Sequence, residues 1–234
     1  MKRIVRTLNK KWPEYILEIL VITIGILGAF ALNSWNENNN RKKAETEILK
    51  EIKANLELDL IDLKENRGGH SFNLEKLDSL KKAQEFQLSK EQIALNIYSA
   101  FRDYIYTPQR SAIETLTAKG VDLISDDSLR INILRLYDFY TASLVKMQED
   151  YQPSQFTDDY IYIQNKYYIR MDLSADSLYV QPVFSGYEWL ENQDVSIRID
   201  RTMMQRSWIL DRYDDCIQLV QETINHIDEK LIDK

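Results

Sequence analysis

Side chains able to do chemistry are few in this chain and poorly grouped. Carboxylates cluster at Asp122/Asp126/Asp127, at Asp158/Asp159 and at Asp211/Asp214/Asp215, and paired carboxylates serve acid–base work or calcium binding. None has the spacing and glycine of a calcium loop, so they read as solvated faces of helices. His70 follows Gly68-Gly69 and reads as a turn residue, while His226, near Asn225 and Asp228, reads as a surface position on a helix. One cysteine, Cys216, and two histidines cannot build a Cys/His zinc site from this chain alone, and a lone cysteine excludes an intramolecular disulfide. No Gly-x-Ser-x-Gly, phosphate-cradling glycine loop or His-Glu-x-x-His occurs. The expectation is a protein that is not an enzyme, with no cofactor and no metal.

The elements that must position these residues follow from composition. The chain has 234 residues, 44% of them hydrophobic, enough for one membrane segment and one domain with a core. Only 6 Gly and 4 Pro interrupt it, which favours long helices over a many-turned β fold. Charge divides unevenly. Residues 1–14 carry five basic groups against Glu14, a net of +4, and Glu18 adds −1, so the overall −7 leaves −10 from Asn36 onward. An acidic domain repels phosphate backbones, which excludes a nucleic-acid partner.

The strongest signal is the segment from Tyr15 to Trp35. Ile19–Leu32 is uncharged, and the 21 residues at about 1.5 Å each cover roughly the 30 Å of a bilayer's hydrocarbon. Trp12 and Tyr15 precede it and Trp35 follows, where amphipathic rings prefer the lipid–water boundary. It reads as an uncleaved transmembrane helix. The competing reading, a cleaved signal peptide with a site at Ala29-Phe30-Ala31, is opposed by Glu18 and by the long lead-in. Basic residues number five before the span and four in residues 36–50, and the tail's charges lie nearest the span. The expected arrangement is a basic cytoplasmic tail (1–14), a transmembrane helix (15–35) and an extracytoplasmic domain (36–234), periplasmic for a protein of a bacterial inner membrane. Gly25, Gly28 and Ala29 form a small-residue face on which another helix would pack, and Glu18 is an intramembrane ionisable group one turn inside the boundary.

Two stretches carry a resemblance. Glu18-Ile19-Leu20-Val21-Ile22-Thr23-Ile24-Gly25-Ile26-Leu27, closing with Asn33-Ser34-Trp35-Asn36-Glu37, and Leu116-Thr117-Ala118-Lys119-Gly120-Val121-Asp122-Leu123-Ile124 with Asp127-Ser128-Leu129-Arg130, resemble a family of small bacterial membrane proteins catalogued only as a domain of unknown function. The chain departs from that pattern at Lys119, where serine is expected, and at Ala29, where a bulkier aliphatic is usual. The resemblance implies a basic tail, a span and following helices, and no activity.

Beyond the span the fold class expected is mostly α: the membrane helix continues into a stalk, followed by a helical bundle. Ile48, Ile52, Leu56, Leu60 and Leu63 mark one helical face, and Gly68-Gly69 ends or bends that element. Further helices are expected at 71–87, 90–105 and 111–119, with Gly120 as a left-handed cap. Another carries the stripe Leu129, Ile133, Leu136, Tyr137, Tyr140, Leu144 and Met147 behind an N-cap within 125–128. Residues 156–169 alternate aromatic and β-branched types; helix is favoured, with a β ribbon as the alternative, and 173–186 reads as a loop. A last helix from Val195 shows Tyr213, Ile217, Val220, Ile224, Ile227 and Leu231 at coiled-coil spacing, and pairing it antiparallel with the stalk is the economical arrangement.

Fourteen tyrosines raise the question of binding. Tyr160, Tyr162, Tyr179, Tyr187 and Trp189 fall in the least regular stretch and form the candidate partner surface. The functional expectation is a membrane-anchored, non-enzymatic interaction module, an accessory or assembly subunit of an envelope complex. Its partners would be the lipid bilayer and another protein or a second copy of itself. The alternative is an extracytoplasmic ligand-binding or sensing domain acting through a partner, which requires a cavity.

Overall fold

The computed structural model describes residues 2–152, 158–167, 170–172, 179–181 and 187–232. The architecture is mostly α, as the composition predicts. α1 runs from Lys2 to Lys81 and α2 from Lys90 to Ala100; α3 spans Ser111–Lys119 and α4 Asp127–Arg135, followed by a π-helical turn at Leu136–Thr141. α5 covers Ala142–Gln152, α6 Asp159–Tyr167 and α7 Gln193–Ile232. Two short strands, β1 (Arg170–Asp172) and β2 (Tyr179–Gln181), pair antiparallel with Met171 opposite Val180. The chain divides into two compact units, residues 1–49 and 50–234.

In the first unit, α1 contains a segment long and apolar enough to cross a membrane, and none of that apolar window is buried. Every side chain from Tyr15 to Trp35 is exposed.

In the second unit, α1 and α7 each carry an unbroken heptad pattern of buried positions. On α1 they are Ile52, Leu56, Asp59, Leu63, Asn66, His70, Asn73, Leu77 and Leu80; on α7, Val195, Ile199, Thr202, Arg206, Ile209, Tyr213, Cys216, Val220, Thr223 and Ile227. Alternating steps of three and four keep one seam of each helix inward. The helices run antiparallel, tied by Lys53–Asp228 (2.5 Å), Arg67–Asp214 (2.9 Å) and Lys81–Asp200 (2.5 Å). Successive pairs lie two heptads apart on both helices.

α1 does not stop at Gly68-Gly69, contrary to the expected break, and the predicted helix 71–87 is its continuation to Lys81. The pair serves packing instead. A Cβ on Gly69 would collide with the Tyr104 ring, while one on Gly68 would meet nothing within 4 Å. α2 opens with a capping box between Ser89 and Gln92 and ends at Ala100, five residues earlier than expected. Its apolar face joins Leu77, Leu80, Phe101, Ile163, Val195 and Ile199 in one core cluster.

α3 ends as predicted at Gly120, whose φ of 98° suits a residue without Cβ. Asp126 caps α4 by accepting the Leu129 N–H at 2.9 Å. The π turn then inserts one residue into the helical repeat. Buried positions run Leu129 and Ile133 before it, Leu136, Tyr137 and Thr141 within it, and Leu144 and Gln148 after it. The expected inward residues Tyr140 and Met147 are therefore only partly buried, because a fixed 3.6-residue period cannot anticipate the inserted residue. Residues 159–167 are helical, as favoured, and the strand at 179–181 corrects the loop expected there.

Candidate functional site

Several polar residues at heptad core positions, Asp59, His70, Asn73 and Arg206 among them, converge on one feature, the irregular segment 102–110 between α2 and α3. We call it the strap. A buried backbone outside helix or sheet must find partners for its N–H and C=O groups, and here side chains supply them. His70 meets the Tyr104 carbonyl through Nε2 at 2.9 Å. Asn73 Nδ2 and Arg206 Nη2 both donate to the Arg102 carbonyl, the latter at 2.9 Å. Gln148 acts as a strand neighbour would, accepting the Tyr106 N–H at 3.0 Å and donating to the Tyr106 carbonyl at 3.1 Å. Tyr213 holds that amide by donating its hydroxyl to Gln148 Oε1 at 2.6 Å. Farther along, the Thr107 N–H donates to Asp62 at 3.3 Å and the Gln109 N–H to Asp59 at 2.8 Å. Three helices, α1, α5 and α7, thus grip one extended segment.

The centre of the grip has a definite protonation state. Arg206 Nη1 lies 2.8 Å from His70 Nδ1, and a guanidinium only donates. Nδ1 is therefore the acceptor and Nε2 carries the hydrogen given to Tyr104. Burial, then the Arg206 charge, push the His70 pKa down to about 3, so the ring is neutral. Burial lowers Arg206 itself to about 10, opposed by the nearby Asp103 carboxyl. Both side chains are fully buried. With both ring nitrogens engaged and no solvent access, His70 is a fastening of the strap. This corrects its reading as a surface turn residue.

A second fastening joins α6 to α7. Asp159 is fully buried and accepts from Arg198 at 2.6 Å, from Arg201, and from the Thr202 hydroxyl at 3.2 Å. The pairing of Asp158 with Asp159 is thus a solvated residue beside a buried anchor. Asp126, the α4 cap, also faces His226 (3.5 Å) and Lys230 (3.9 Å) of α7. Asp214 and Asp215 pair with Arg67 and Arg212. Among the described residues no group of three or more His, Cys, Asp or Glu is placed to hold a metal ion.

The candidate partner surface is not a single exposed patch. Tyr160 is buried at 8% exposure, its ring 6.3 Å from that of Phe101, and leaves the set as a core residue. Tyr162 is partly buried beneath the Arg198 guanidinium, 3.9 Å from its ring centre, and donates to Asp194 at 3.1 Å. Tyr187 is partly buried, with its hydroxyl donating to the Leu88 carbonyl at 3.0 Å. The side chains of Tyr179 and Trp189 lie outside the described ones. In the span, Gly25 and Gly28 have nothing within 4 Å of an added Cβ, and Ala29 and Glu18 are exposed. A cleft of about 160 Å³ opens beside the strap between Ile105, Pro108, Val145 and Glu149, below the roughly 300 Å³ of a typical small-molecule site.

An exposed apolar helix together with a helical domain braced by an internal polar seam defines a class: mostly α proteins with one helix able to span a membrane near the N-terminus. Residues 18–181 match a family described as a family of unknown function, DUF6090, and the chain belongs to it. No curated protein and no solved structure matches the chain.

Proposed function

We propose that this chain is a membrane-anchored, non-enzymatic interaction module, an accessory or assembly subunit of an envelope complex. The observation that carries the reading is the uniform exposure of the Tyr15–Trp35 segment. An apolar helix bare on every side is stable only where lipid or another helix covers it. On this reading the protein is single-pass in the inner membrane, with the basic tail cytoplasmic and residues 36–234 periplasmic, as the concentration of Lys and Arg beside the span favours. Gly25, Gly28 and Ala29 are the face on which a partner helix or a second copy packs.

The non-enzymatic part of the reading is supported by where the polar side chains go. His70, Asn73 and Arg206 are bound to backbone or to one another, and Asp159 to two arginines, so they brace the fold instead of lining a cleft. The experiment is extraction of the tagged protein from native membranes in mild detergent, followed by native mass measurement and identification of bound proteins. A defined complex of constant stoichiometry is the expected result. A clean monomer would contradict the subunit reading.

A further inference from the structure

Asp59 stands apart from the other fastenings of the strap. It occupies a heptad core position of α1 between Leu56 and Leu63 and is 1% exposed. Its Oδ1 accepts the Gln109 N–H at 2.8 Å. Its Oδ2 has no hydrogen-bond partner among the described residues, and neither do the buried hydroxyls of Tyr106 on the strap and Tyr137 on the π turn. The negative charge of Asp59 raises the pKa of both phenols, and the Tyr106 hydroxyl, though not bonded to it, in turn favours the carboxylate. The other ionisable groups around this cluster are Asp62 on α1, Arg110 at the strap's end, and Tyr213 and Cys216 on α7. Arg110 faces Tyr137 and lies 3.8 Å from Glu114. Among the described residues no ion pair reaches Asp59, whereas Asp159, the other fully buried carboxylate anchor, has two arginines.

We infer that Asp59 is a proton-operated latch on the strap: protonated, it is a neutral buried side chain whose Oδ1 keeps the Gln109 N–H and holds that end of the strap against α1; ionised, it is a buried charge without a counter-charge and the strap loosens. The direction follows from burial, which raises the Asp59 pKa from 3.8 to about 6, against the lowering effect of the Gln109 N–H and the Tyr106 hydroxyl. The clamped state binds the proton more tightly than the open one. Its stabilisation is therefore present at low pH and lost as pH rises through about 6. His70 acts oppositely on the Tyr104 end, because its neutral form is the one the clamp needs and acidification below 6.5 opposes it. The two ends of one strap thus respond to pH with opposite signs.

The test uses the full chain in lipid nanodiscs and reads hydrogen exchange of peptides covering 102–110, corrected for intrinsic exchange, at pH 5 and pH 8. The comparison is wild type against Asp59→Asn, which keeps an acceptor for Gln109 and removes the titration. Strap opening in wild type relative to the variant is expected to rise about tenfold from pH 5 to pH 8, from the displacement of the Asp59 pKa between 3.8 and about 6. Parallel pH profiles would overturn the latch. If Asp59→Asn fails to fold, Tyr106→Phe replaces it. Loss of a hydroxyl that favours the carboxylate moves the midpoint of the wild-type profile upward, and an unmoved midpoint overturns the proposal equally.

Discussion

Gly68 and Gly69 show at the scale of single residues how one sequence feature carries two roles. Gly68 is exposed with open space around it, so Gly68→Ala should raise stability by about 0.5–1 kcal/mol through helix propensity alone. Gly69→Ala should lower it by about 2 kcal/mol, because the new methyl meets the Tyr104 ring. Thermal melts of the two variants check both signs. Arg206→Ala strips the buried partner from His70 Nδ1 and one of the two donors from the Arg102 carbonyl, and should cost about 3 kcal/mol. The His70 pKa, held near 3, also sets a pH dependence. The stability it supports is whole above 6.5 and drains as pH falls toward about 3. His70→Gln can keep both hydrogen bonds without titrating, so its melting temperature should fall less than wild type's between pH 7 and pH 4. Identical acid profiles would contradict the assigned role. The sequence hid these residues because an apolar pattern registers only apolar positions. Asp59, His70 and Arg206 sit in the seam as Leu56 and Leu63 do, and nothing in their type announces it.

Elements were more legible than residues. α3, the Gly120 cap, the Asp126 cap and the long last helix stand where spacing and capping chemistry predict them. Leu60 and Ile217, expected in the seam, are partly buried beside the true core positions Asp59 and Cys216, an offset of one residue caused by polar side chains occupying the inward positions. The strap was invisible as a unit: its partners lie on helices remote in sequence, so the reading extended α2 to residue 105. The π turn has a prediction of its own. It accommodates one extra residue, and deleting the exposed Asp138 should restore an ordinary α-helix while leaving Gln148 facing Tyr106. Circular dichroism melts should place the deletion near wild type, and Gln148→Ala, which strands both backbone groups of Tyr106, well below it. A deletion as damaging as Gln148→Ala would refute the one-residue insertion.

For the whole molecule, the sequence conveyed fold class and the long apolar helix because both depend on composition and period, quantities summed over many residues. A partner surface depends instead on which of fourteen tyrosines the fold leaves bare, and Tyr160 shows that residue type does not decide this. The proposed function places residues 36–234 across the membrane from the basic tail, behind one anchor. Protease accessibility of the full-length protein in intact spheroplasts and in inverted inner-membrane vesicles, after confirming resistance to alkaline carbonate extraction, tests it most directly. The expected result is a carbonate-resistant protein whose domain is digested in spheroplasts and protected in inverted vesicles. Release by carbonate, or digestion only in inverted vesicles, would contradict it.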